Sequence, residues 1–309
     1  MARLKSIKLS ALNITLHPHK PADYVDLWGR LFDLRKYVDI GRDQAAMIGA
    51  LEPAIPDEPL AGYVGLIYRF TVIDVNKGWF DLESGEEADQ ATVRKEIRIP
   101  PNLRPNLSTF MYRFFPRSHR LVVEHKNALG ETLSPKSVEK MLDHLTADAR
   151  IQDRFKSIDV TMEQSKEVIE DIITGRVLKR LTITVKRPNP DDDSDDDEKI
   201  VLGEMIREDV RTKVVDLQSM PGKGIKPSER TKSFVRVAAS NGKVEATTET
   251  TDGKRVPVSS REHPRVEPVY YNPNKQDHGS AFLNAAGDFV SKLLGSGKSR
   301  STDSRPPIV

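Results

Sequence analysis

The stretch Lys5-Ser6-Ile7-Lys8-Leu9-Ser10-Ala11-Leu12-Asn13-Ile14-Thr15-Leu16 decides the fold class. Ile7, Leu9 and Ala11 stand at every second position, and Leu12, Ile14 and Leu16 then continue on the opposite phase. A period of two marks a strand, here with a shift near its middle. His17-Pro18-His19-Lys20-Pro21 ends it, because proline has no N–H to give to a ladder. Pro21 is placed to open a helix at its first position, and Tyr24, Leu27, Trp28, Leu31 and Phe32 recur behind it at helical spacing. A long strand handing over to an amphipathic helix points to an α+β protein.

Further strands are expected at 44–51 and 63–75, separated by Pro53, Pro56 and Pro59. Asn76-Lys77-Gly78 makes a turn, 79–82 pairs back as a hairpin, and 92–99 is another strand before Pro100-Pro101. Residues 109–115 and 120–125 are aromatic or β-branched runs around Pro116-Arg117-Ser118-His119. Ser134 caps a helix carrying Val138, Met141, Leu142 and Leu145, and 157–162 is a short strand. A helix with Ile169, Ile172 and Ile173 then stops at Gly175. Residues 1–175 thus form one α+β domain.

Residues 176–273 read as a second, with order βαβαββ. It has a strand at 176–186, a helix at 200–211 and a strand at 213–217. A helix with Phe234, Val235 and Ala238 follows, then a hairpin around Thr251-Asp252-Gly253-Lys254 and a last strand at 266–271. Residues 274–309 hold one amphipathic helix and, from Gly295, a Ser/Gly/Pro/Arg-rich tail that reads as disordered. The expected fold is α+β: two strand-rich, sandwich-like domains with helices packed on sheet faces, plus a C-terminal helix and a disordered tail.

The chain has 309 residues, enough for about two domains with a sizeable core. It has no cysteine, which excludes disulfides, thiolate nucleophiles and cysteine metal sites. No apolar stretch approaches the roughly 18–20 residues of a membrane span, and the opening alternation is not a signal-peptide run. A cytoplasmic location without membrane contact is expected.

Lys and Arg number 48 against 46 Asp and Glu, but the near balance hides an uneven distribution. Seven acids fall in Asp191–Glu198, so the rest of the chain carries an excess of nine bases. From Arg94 to Lys126, eight bases (94, 95, 98, 104, 113, 117, 120 and 126) meet only Glu96 and Glu124. Tyr112, Phe114 and Phe115 interleave them. Arginines give salt-dependent phosphate contacts and exposed aromatics can stack bases, while the bland alternative is a solvated surface over an aromatic core.

Other motifs carry less. His17 and His19 could be metal ligands or an acid–base pair, but no third ligand lies near them in sequence, and a loop orienting the next helix suffices. Pro221-Gly222-Lys223-Gly224 lacks the surroundings of a phosphate-binding loop. Ser118 and His119 are adjacent and cannot form a nucleophilic dyad. The acidic run lacks the ligand spacing of a calcium loop and reads as a solvated loop. No catalytic residue, cofactor or metal site is assigned.

Ala11-Leu12-Asn13-Ile14-Thr15-Leu16-His17-Pro18-His19, followed by a helix, resembles the bacterial family known as domain of unknown function 4747. More loosely, two further segments are similar to the DNA-binding Kiwa subunit and the phage-exclusion protein RexA. These are His119-Arg120-Leu121-Val122-Val123-Glu124 and Leu181-Thr182-Ile183-Thr184-Val185-Lys186-Arg187-Pro188-Asn189. The resemblance implies phage defence with nucleic-acid contact and brings no catalytic residues. The expected function is therefore nucleic-acid binding, DNA favoured, as a sensor or effector partner in defence. Arg94, Arg98, Arg113, Arg117, His119, Arg120 and Lys126 are the expected nucleic-acid contacts. Phe282, Phe289 and Leu293 are expected to dock on another defence subunit or a second copy, with packing on the chain's own body as the alternative. The competing functions are a metal-dependent nuclease whose carboxylates meet only in the fold, and a non-catalytic assembly subunit.

Overall fold

The computed structural model describes residues 4–175, 177–190 and 196–295. The opening strand β1 (Lys5–His17) is the spine of a large antiparallel sheet. That sheet also holds β2 (Val38–Gly41), β3 (Gln44–Pro53), β4 (Tyr63–Thr71), β5 (Ser108–Phe115), β6 (Arg120–Lys126), β7 (Ser157–Met162) and β12 (Val266–Tyr271). Its order is β12-β1-β6-β5-β4-β3-β2, with β7 pairing on the second half of β1. One edge of β1 is thus shared, with Ile7 opposite Val269 of β12 and Ile14 opposite Val160 of β7.

Alternation along β1 runs unbroken. Ile7, Leu9 and Ala11 face one side of the sheet, and Leu12, Ile14 and Leu16 face the other. The shift in the sequence is a change of which face is apolar, because the strand passes from one packing partner to another. Leu12, Ile14 and Leu16 join a core with α1 (Pro21–Asp33), α3 (Pro135–Thr146) and α4 (Ala149–Gln152), where Trp28 stacks on Phe114 with ring centroids 4.6 Å apart. Ile7, Leu9 and Ala11 pack with Val122 against α8 (His278–Leu293).

The small sheet has the order β11-β10-β8-β9, built from β8 (Val177–Lys186), β9 (Thr212–Gln218), β10 (Gly242–Glu249) and β11 (Arg255–Ser259). α5 (Lys166–Thr174), α6 (Asp196–Arg207) and α7 (Glu229–Asn241) contribute to its core. The protein is thus α+β, with two strand-rich units and a C-terminal helix.

Several local expectations change. The strand at 266–271 joins the large sheet, where Tyr271 and Val269 complete the core under α8. Residues 92–99 hold helix α2 (Gln90–Glu96) instead of a strand, because the Asp89 carboxylate caps it by accepting from the Thr92 N–H at 2.9 Å. Residues 79–82 make only an isolated bridge, Phe80 to Glu87. The short strand β2 has no counterpart in the sequence reading. The helix expected at 200–211 begins at Asp196, so three acids of the charged run occupy its first turn, where they suit the helix dipole. The rest of that run, 191–195, and the tail from 296 lie outside the described residues. Among the described residues, no helix is long and apolar enough to cross a membrane.

Candidate nucleic-acid interface

The turn between β3 and β4 and the tip of the β5–β6 hairpin come together at one end of the large sheet. Gly62 permits this approach. Its φ is +87°, and a Cβ there would sit 2.0 Å from the Phe114 carbonyl oxygen. Between the two turns lies a concavity of 620 Å³. Glu58 and the Pro59–Ala61 turn form one wall, and Arg113, Phe115, Arg117 and Ser118 form the other.

Arg113 sits at an unusual electrostatic position. It is half-buried, its guanidinium carbon lies 4.6 Å from the Phe115 ring centroid, and its Nη1 donates to the Leu283 carbonyl of α8 at 3.2 Å. Its Nε is buried without a hydrogen-bond partner. Burial alone lowers its pKa, and no carboxylate among the described residues pairs with it. Burying a cation without a counter-charge is costly, so such a group is poised to receive an anion. Arg117 stands exposed beside it on the hairpin tip.

The neighbouring bases have a different fate. His119 and Arg120 are buried, at 3% and 6% exposure, in a polar junction between the two sheets. Arg120 Nε lies 2.8 Å from Glu163 Oε1, and its Nη1 donates to Asn13 Oδ1 and to the Ser118 carbonyl. His119 Nδ1 lies 2.6 Å from Asn13 Oδ1. Asn13 Nδ2 donates to Asn241 Oδ1 at 2.8 Å, Ser240 Oγ donates to Glu163 Oε2 at 2.7 Å, and Gln164 Nε2 donates to the Gly242 carbonyl at 2.8 Å. These bonds join β1 and β6 to the end of α7, and the geometry makes His119 and Arg120 joints between units.

Of the other expected contacts, Arg94 is exposed on α2 and donates to Asn76 Oδ1 at 2.9 Å. Arg98 is exposed in the segment that follows and lines a separate 400 Å³ pocket with Arg104. Lys126 closes β6 at the end away from the hairpin tip. Of the seven expected contacts, only Arg113 and Arg117 line this concavity. Phe282 and Phe289 are fully buried against the chain's own sheet, while half-buried Leu293 lines a small cleft at the junction.

The two histidines of the opening loop separate. His17 Nε2 lies 3.1 Å from the Arg187 carbonyl, and burial lowers its pKa. His19 Nδ1 lies 3.0 Å from the Tyr24 hydroxyl. No group of three or more His, Asp or Glu side chains among the described residues is arranged to hold a metal ion. The described end of the acidic run is tied down: Asp197 pairs with Arg236, and Glu198 accepts from Asn241 Nδ2 at 2.8 Å.

The sequence does not single out the wall formed by Glu58 and the Pro59–Ala61 turn. Its signal was Gly62 after a proline-rich turn, which marks a close backbone approach but not what approaches. Among curated proteins, none matches the chain. The family model described as "Domain of unknown function (DUF4747)" matches residues 5–287, from the first strand into α8, and the chain belongs to that family.

Proposed function

We propose that this chain binds nucleic acid through the concavity at the hairpin tip, with Arg113 and Arg117 receiving phosphate. The observation that carries the reading is the half-buried Arg113 guanidinium, which no carboxylate among the described residues neutralises and which opens on a cavity beside an exposed arginine. DNA is the favoured ligand. The biological role is that of a cytoplasmic sensor or effector partner in bacterial phage defence, a reading supported by the sequence resemblance alone.

Binding of the full chain to duplex and single-stranded DNA and RNA across a salt series tests this. Log affinity should fall linearly with log salt, by about 0.9 per phosphate neutralised on duplex DNA. Replacing Arg113 and Arg117 together by Ala should weaken binding to all sequences and flatten the slope by up to about 2. Unchanged affinity and slope in the folded double variant, or no binding to any nucleic acid, overturns the proposal.

A further inference from the structure

We infer that the unit received by this concavity is one unpaired nucleotide, not the backbone of an intact duplex; this rests on the nucleic-acid reading above. Size is the first argument. At 620 Å³ the space suits a ligand of a few tens of atoms and is far smaller than a duplex. Depth is the second. Arg117 stands at the exposed tip, where any phosphate could reach it, but Arg113 is recessed, with its guanidinium over the Phe115 ring. Only a group that enters the concavity meets both. Paired bases are stacked inside the helix and cannot enter, whereas an unpaired base offers its flat face to an aromatic or guanidinium plane.

The third argument is polarity. The arginines lie on one wall and Glu58 on the other. A phosphate is drawn to the arginine side and repelled from the carboxylate, which accepts hydrogen bonds from the N–H groups of a base edge. The concavity therefore has a phosphate end and a base end. A nucleotide matches that division, and a bare phosphate uses only half of it. The same chemistry is offered by a strand end, a single strand or a free nucleotide.

The full chain is titrated, at one salt concentration, with a blunt duplex, the same duplex bearing a single-stranded overhang, a single-stranded 12-mer and a mononucleotide. The overhang and the 12-mer should bind at least about tenfold tighter than the blunt duplex. Phe115→Leu should remove that advantage, a loss of about 5- to 150-fold for one stacked base. Because Phe115 also packs towards α8, a second measurement needs no substitution: 2-aminopurine in the 12-mer should change its fluorescence on binding wild-type protein. Mononucleotide binding as tight as that of the 12-mer supports the site and assigns it to free nucleotides. Equal affinity for blunt and overhanging duplex, with an unchanged 2-aminopurine signal, overturns the inference. If binding still weakens on replacing Arg113 and Arg117, the nucleic-acid reading survives that result. No binding to any probe overturns both.

Discussion

Arg113 and Arg120 stand seven residues apart on the same hairpin, and the fold treats them in opposite ways. Arg120 points into the joint between the two sheets and finds Glu163, Asn13 and a backbone carbonyl waiting. Arg113 turns towards α8 and an open concavity, where it finds one carbonyl, one aromatic ring and, among the described residues, no carboxylate. Burial of a charge is tolerated when hydrogen bonds and a counter-charge are built in, and it costs free energy when they are not. The first arginine is thus held for the architecture. The second is left without a counter-charge among the described residues, and the proposed phosphate contact rests on that difference.

The contrast has a stability signature. Glu163→Leu strands the Arg120 charge and should cost about 3–5 kcal/mol in denaturant unfolding, whereas Arg113→Met should change stability by less than about 1 kcal/mol. Adding Arg120→Met to Glu163→Leu should recover most of the loss, because the pair is then removed together. A large loss from Arg113→Met would show that this arginine is structural after all. Phe289→Ala comes next, near the lower end of the roughly 3–5 kcal/mol expected for a buried phenylalanine. Phe289 is fully buried against the large sheet, so a variant that keeps its melting temperature but loses self-association would return α8 to the role of a docking helix.

Much of this architecture was legible in the sequence, because it rests on periodicity. The stripe Tyr24, Leu27, Trp28, Leu31, the Ser134 cap and the Asp252-Gly253 hairpin are local signals, and local packing obeys them. What stayed hidden is long-range. Nothing near Val266–Tyr271 says that its neighbour is β1, some 260 residues away, whereas the hairpin just before it points to the small sheet instead. The basic run was visible as a run, but its division was not. Arginines 113, 117 and 120 look alike in sequence, and only the partner brought by Glu163 distinguishes the buried joint from the open site. Likewise Phe282 and Phe289 announce an apolar stripe without saying which surface covers it. In β1 the answer was half visible: apolar residues on both phases require two covers, one of which is α8.

The smallest expected effect concerns the buried carboxylate on that hairpin, Glu124. It is fully buried on β6 and accepts from the Met111 N–H at 3.2 Å, while His278 at the start of α8 approaches its other oxygen to 2.6 Å. This contact fastens the helix that covers Ile7, Leu9 and Ala11. The bond to Glu124 holds His278 above the ordinary histidine value, against the opposing influences of burial and Lys5; Asp277 adds to the rise, and Tyr271 stacks on the ring. A group whose pKa is raised by folding stabilises the fold in full below its unfolded value, and that contribution is lost as pH rises through the folded value. The melting temperature of the wild type should therefore exceed that of His278→Gln by the most at about pH 6, below the unfolded value, with the gap closing as pH rises through the raised folded value. The imidazole is partly open to solvent, so the gap should be small and should shrink with salt. A gap that stays constant with pH would mean that stacking on Tyr271, not charge, fastens the helix. A gap that closes would make the grip of α8 on the large sheet depend on proton concentration, and α8 is also the element whose Leu283 carbonyl holds Arg113 at the concavity.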